Sequence, residues 1–138
     1  MTLLDTCVVS ELVRPAPDPR VLAWFESAPE DGLFLSVLTL GELQRGADLL
    51  DERERRARVQ TWIDGLARTF ADRLLPVDDA VAVRWGRLTA EARRAGRTRP
   101  AVDSLLAATA LRHDLTLATR NVVDFEGTGV RLVNPWEA

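Results

Sequence analysis

A chain of 138 residues with 46% hydrophobic content is sized for one domain, 1–138, around a single sizeable core, and a second domain is not expected. Its formal charge of −3 excludes a protein that coats nucleic acid through bulk positive charge, although a local basic rim is compatible with it. The lone Cys7 excludes an internal disulfide, no apolar run approaches the roughly 18 residues that span a bilayer, and no basic segment leads into a long apolar one at the N-terminus, so a cytoplasmic, non-membrane protein is expected.

In chain order, "TLLDT" (2–6) has strand length and stops on a carboxylate, Asp5, before a helix running through Val8 to Val13. "RPAPDP" (14–19) reads as a proline-rich loop, and "LFLS" (33–36) as the second strand. Leu40, Leu43, Ala47 and Leu50 then make one helical stripe, in the helix that contains Glu42. "DERERRAR" (51–58) is a solvated helix start with opposite charges three and four apart, continued by the stripe Val59, Trp62, Ile63, Leu66 and Phe70. "LLPV" (74–77) is a third strand, followed by a helix with Val81, Trp85, Leu88, Ala92 and Ala95 on one face. After the polar connector "GRTRP" (96–100), "AVDSLLAATALR" (101–112) is apolar nearly all round and fits a helix buried against a sheet, with Asp103 in its first turn and His113 at its end. "LTLAT" (115–119) is the fourth strand, "EGTG" (126–129) a turn, and "VRLV" (130–133) the last strand.

Strands alternating with helices imply a mainly parallel sheet of about five strands in a three-layer α/β/α sandwich. Ligands of such sheets bind outside the carboxyl ends of the strands. Asp5, Glu42, Asp103, Asn121 and Asp124 all fall at strand-to-helix junctions or in the turns beside them, so parallel strands would bring several carboxylates to one crevice. Close like charges raise each other's pKa and oppose folding, a conflict that a divalent cation removes. Oxygen donors without a histidine or thiolate cluster favour a hard ion, Mg²⁺ or Mn²⁺. The chemistry suited to that ion is phosphodiester hydrolysis, with a carboxylate that is not ligating left to orient or deprotonate water.

Each acid also has a structural reading. Asp5 before Thr6 suits a helix N-cap, and Asp103 in a first helical turn gains from the helix dipole. Glu42 could be a solvated helix residue, although Leu38 and Gly46, four residues to either side, place it near the packed face. Asp124 could simply start a turn before Phe125. Cys7 reads as a small buried residue without a paired base, and the four tryptophans as core or interface.

Together, "LLDTCVVSEL", "LTLGELQRG", "AVDSLLAATALRHDLTLATRNVVDF" and "GVRLVNPW" resemble, in order and spacing, a PIN-domain ribonuclease toxin of the VapC type, from a type II toxin–antitoxin pair; the likeness runs from Leu3 to Trp136. The resemblance implies a PIN-like fold and a Mg²⁺- or Mn²⁺-dependent endoribonuclease that cuts RNA and inhibits translation. A cognate VapB-like antitoxin would hold it silent, and a homodimer within that complex is usual. Asp5, Glu42 and Asp103 match the family's most regular acids. Many members have an acid where Asn121 stands, while others rely on the acid a turn later. The resemblance therefore implies Asp124 as the fourth ligand and Asn121 as a polar helper. Thr6 and Thr119 are implied as hydrogen-bonding support for the acids, and Arg120, with the arginines at 14, 45, 97 and 99, as contacts to the RNA backbone.

Three other readings compete. A receiver-type acidic pocket needs a strand-end lysine, and all 18 basic residues here are arginine. A haloacid-dehalogenase-like site needs a second Asp two residues after the first, and position 7 is Cys. The third is a catalytically inactive PIN-like module that binds an antitoxin or RNA.

Overall fold

The computed structural model describes residues 1–138. Five short strands, β1 (Thr2–Leu4), β2 (Leu33–Ser36), β3 (Leu74–Leu75), β4 (Thr116–Ala118) and β5 (Leu132–Val133), form one sheet in the order β3-β2-β1-β4-β5. Every pairing is parallel. Six helices connect them: α1 (Thr6–Leu12), α2 (Pro19–Ser27), α3 (Val37–Asp48), α4 (Arg53–Thr69), α5 (Asp79–Arg94) and α6 (Ala101–Arg112). None is long and apolar enough to cross a membrane.

The two faces of β1 explain the layers. Successive strand residues point to opposite sides, and Leu3 and Leu4, both fully buried, enter different cores. Leu4 packs with Val8, Val9, Val21, Leu35 and Ile63, so α1 to α4 cover that face. Leu3 packs with Leu88, Leu106, Ala107, Ala110 and Leu117, so α5 and α6 cover the other. This is the expected α/β/α sandwich. The run of small residues in α6 lets it lie close to the sheet, where Ala107, Ala108 and Ala110 are fully buried.

The strands are shorter than their apolar runs. The run at 74–77 pairs only over Leu74–Leu75, because Pro76 has no N–H to continue a ladder. The expected strand at 130–133 reduces to its last two residues, after the turn at Gly129. The first helix begins at Thr6, two residues before Val8.

One helix was not expected. α2 starts at Pro19, inside what reads as a proline-rich loop. Asp18 caps it by accepting Arg20 N–H at 2.8 Å, with Pro at the first helical position. The buried Glu11 closes the preceding loop, accepting from Asp18 N–H at 3.2 Å and from Arg14 Nη1 at 3.3 Å. Arg14, offered by the sequence as a phosphate contact, is therefore paired within the chain.

Candidate active site

Asp5 follows the last residue of β1 and remains tied to the sheet, its N–H donating to Ala118 O at 2.9 Å. Its extended backbone ends the strand and opens α1, and the residue is buried, 7% exposed. A charge this buried requires hydrogen bonds. Oδ1 accepts from Thr6 N–H at 2.8 Å; Oδ2 accepts from Thr119 Oγ1 at 2.7 Å and from Cys7 Sγ at 3.5 Å. Asp5 is thus a helix cap and also the buried floor of an acidic site.

Thr6 joins two of the acids. Its N–H goes to Asp5, and its hydroxyl donates to Glu42 Oε1 at 2.7 Å, with Thr39 Oγ1 3.3 Å away. Glu42 is exposed on α3, which starts from the end of β2 under a Ser36 cap that accepts Leu38 N–H at 3.0 Å. The spacing from Leu38 and Gly46 does not put it on the packed face: Gly46 is exposed like Glu42, and the buried stripe of α3 is Thr39, Leu43 and Ala47. The Thr6 hydroxyl is what ties the Glu42 carboxylate to α1.

Asp103 lies in the first turn of α6, partly buried. Its carboxyl is held above the usual range, first by burial and then by the charges of Asp5, Asp124 and Glu42. Three of the acids, each on a different element, are thus near enough for their charges to bear on Asp103. Asp124 is the most loosely placed, exposed on a 3₁₀ turn at Val122–Phe125 whose buried anchor is Phe125.

The "TRN" segment organises this edge. Thr119, fully buried, donates to Asp5 and accepts Asn121 N–H at 3.0 Å. Arg120 is exposed, with its guanidinium 5.1 Å from the centre of the Trp136 ring. Asn121 is exposed and contributes through its backbone, its C=O accepting Asp124 N–H at 3.0 Å to start the turn.

Two contributors were not legible in the sequence. Burial, and then the charge of Asp5, push the Cys7 thiol up to about 11, so it serves as a neutral S–H donor to Asp5. Arg99, offered as a phosphate contact, instead grips the turn that holds Asp124: Nη1 donates to Asp124 O at 2.9 Å and Nη2 to Glu126 O at 2.6 Å. The guanidinium fits because Gly127, at φ +80°, has no side chain. A Cβ there would lie 3.3 Å from Arg99 Nη2 and 2.9 Å from Arg97 Nη1.

The donor set at this edge is all oxygen apart from the protonated thiol, which suits Mg²⁺ or Mn²⁺ over zinc. No three acidic side chains are drawn together tightly enough to cage an ion by themselves. A hard ion that keeps several waters needs only one or two direct carboxylates, so the residues present fit it.

Comparison with known proteins agrees with this architecture. The family model described as "PIN domain" matches residues 2–127. Toxin FitB of Neisseria gonorrhoeae is 38% identical, over 99% of each chain. VapC ribonuclease Y4jK of Sinorhizobium fredii is 36% identical, also over 99% of each. The crystal structure of FitAcB from Neisseria gonorrhoeae superposes with a TM-score of 0.95 at 37% identity, covering 100% of both chains.

Proposed function

Because the chain belongs to the PIN-domain family, we propose that it is a metal-dependent endoribonuclease, the toxin of a toxin–antitoxin pair that inhibits translation by cutting RNA. The observation that carries this reading is at Asp103, in the first turn of α6: burial first, and then the charges of Asp5, Asp124 and Glu42, hold its carboxyl above the usual range, as acids that share a metal site would. Relatives named as a toxin and a ribonuclease support it. A cell that makes such an enzyme must neutralise it, so a cognate VapB-like antitoxin belongs to the same proposal, as do a homodimer within that complex and a cytoplasmic location.

In the mechanism, Asp5, Glu42, Asp103 and Asp124 would hold Mg²⁺ or Mn²⁺, directly or through its waters, and the ion would supply polarisation of the phosphoryl group and a water of lowered pKa. Thr119 and Cys7 hold Asp5 Oδ2 from one side while Thr6 N–H holds Oδ1, so this carboxylate is fixed in orientation. Thr6 Oγ1 sets Glu42 in the same way. Asp103, whose proton affinity is raised, is the acid suited to take a proton from the attacking water when it is not ligating. Arg99 keeps the Asp124 turn against the start of α6.

The test is cleavage of labelled RNA by the purified chain in Mg²⁺ or Mn²⁺, in EDTA, and after the metal is restored. Cleavage that vanishes with the chelator and returns with the ion is expected. Undiminished cleavage in EDTA overturns metal dependence, and no cleavage under any condition favours the inert binding module.

A further inference from the structure

A chain with a net charge of −3 holds six arginines and a single acid, Glu91, between residues 84 and 99. The C-terminal end of this stretch borders a cavity of about 690 Å³ between α5 and the start of α6, lined by Trp85, Arg93, Arg97, Thr98, Arg99 and Ser104. Its wall is joined to the acidic site. Ser104 follows Asp103 directly, and its Oγ accepts Trp85 Nε1–H at 3.0 Å.

The arginines here differ in what they already do. Arg99 is committed to the carbonyls of Asp124 and Glu126. Arg97 reaches the chain only through a 3.5 Å contact from Nη1 to Glu126 O. Arg93 is exposed, and the four ion pairs of the chain involve other arginines. Arg93 and Arg97 therefore keep nearly all their donors for a ligand.

We propose that Arg93 and Arg97 bind phosphates of single-stranded RNA on its way to the acidic site, making the cavity the entry tract for the substrate. This rests on the ribonuclease reading above. A polyanion approaching four carboxylates is repelled unless cations flank the approach, and the cavity supplies them on a wall that also includes Ser104, the neighbour of Asp103. The Trp85 ring on the same wall offers a face on which a base can stack, the combination of ring and guanidinium that suits single strands. An acidic protein segment would gain equally from the arginines but makes no use of the aromatic face that Trp85 adds to the wall.

The experiment measures binding of a fluorescently labelled single-stranded RNA by anisotropy across a KCl series, with Asp103→Asn introduced throughout to stop cleavage. Adding Arg93→Ala and Arg97→Ala should weaken binding and flatten the slope of log affinity against log salt by about 0.7 per arginine, the single-strand value for a lost phosphate contact. With Asp103 intact, the same pair should lower kcat/KM for RNA mainly by raising KM. Arg84→Ala, in the first half of α5 and away from this cavity, should change neither. Arg93→Ala alone, at an exposed position, gives the same reading if the double variant folds poorly. Unchanged affinity and slope in a chain that still cuts RNA overturn the tract and leave the ribonuclease reading standing. If the variants bind RNA normally but lose a protein partner, the cavity belongs to that partner and the proposal fails. If the wild type neither binds nor cuts RNA, the reading beneath the proposal falls with it.

Discussion

Thr119 donates its hydroxyl proton to Asp5 Oδ2 at 2.7 Å, joining the ends of β4 and β1 across 114 positions of sequence. The same hydroxyl oxygen accepts Asn121 N–H. Thr119→Val keeps the shape and removes both bonds, leaving a buried carboxylate oxygen one donor short. The expected loss is about 1–3 kcal/mol of stability, with a slower cleavage rate, and Thr119→Ser should recover most of each. Thermal unfolding and RNA cleavage on the same preparations check this; a Val variant as stable and active as wild type refutes it.

Asp103→Asn should abolish RNA cleavage without unfolding the chain. Its carboxyl is held above the ordinary value of 3.8 by burial and then by Asp5, Asp124 and Glu42, so the fold binds this proton more readily than the unfolded chain does. The stability linked to that proton is complete below the unfolded value and lost as pH rises through the folded one. At pH 7 in EDTA the charged Asp103 therefore works against folding, and asparagine should match or exceed wild type by up to about 1 kcal/mol, a gain kept small by solvent screening. The difference should close below pH 3.8. A folded mutant that cuts RNA at the wild-type rate removes Asp103 from catalysis.

Cys7 should resist alkylation at neutral pH. Burial and the neighbouring Asp5 charge raise its thiol from 9.0 to about 11, so iodoacetamide labelling of the native chain should climb only as pH approaches that value, and in denaturant near 9. Folding stability contributed by the neutral thiol is whole below 9 and drains away as pH rises through about 11. Rapid native labelling at pH 8 contradicts this.

Arg99→Leu should release the turn over 124–127. Two hydrogen bonds from a charged donor disappear, at a cost of about 1.5–3 kcal/mol. If Asp124 ligates the metal, the upward shift in melting temperature produced by Mn²⁺ should also shrink, and Arg99→Lys should restore part of it. An unaltered Mn²⁺ response separates Asp124 from the metal site.

Much of this was legible in the residues because one period dominates each segment. The helix read at 101–112 begins and ends where expected, since Pro100 and a nearly continuous apolar run leave few alternatives. Asp5, Glu42 and Asp124 lie after the ends of β1, β2 and β4, which parallel pairing puts on the same side. Asp103, by contrast, opens α6 after another helix, α5, and its place beside them depends on the fold. Other features depend on the fold. In "RPAPDP" three prolines mask an Asp-Pro helix start whose apolar face, Val21, Trp24 and Phe25, meets the core only once α1 has turned back. Arg99 looks like any surface arginine until Gly127, distant in sequence, presents a bare backbone to it. The Cys7 proton affinity depends on the depth of Asp5, which no local pattern states.

The bond from Asp5 N–H to Ala118 O ties the first acid to the centre of the sheet, whereas Asp124 hangs from a short turn at the surface. Their amides should therefore exchange with deuterium on different clocks. The Asp5 amide is released only when the whole chain opens, while the Asp124 amide, bonded only to Asn121 O in a solvent-facing turn, is freed by local fraying. The site thus combines one acid as durable as the fold with another that comes and goes within it. A ligand reaching both would slow exchange far more at Asp124 than at Asp5.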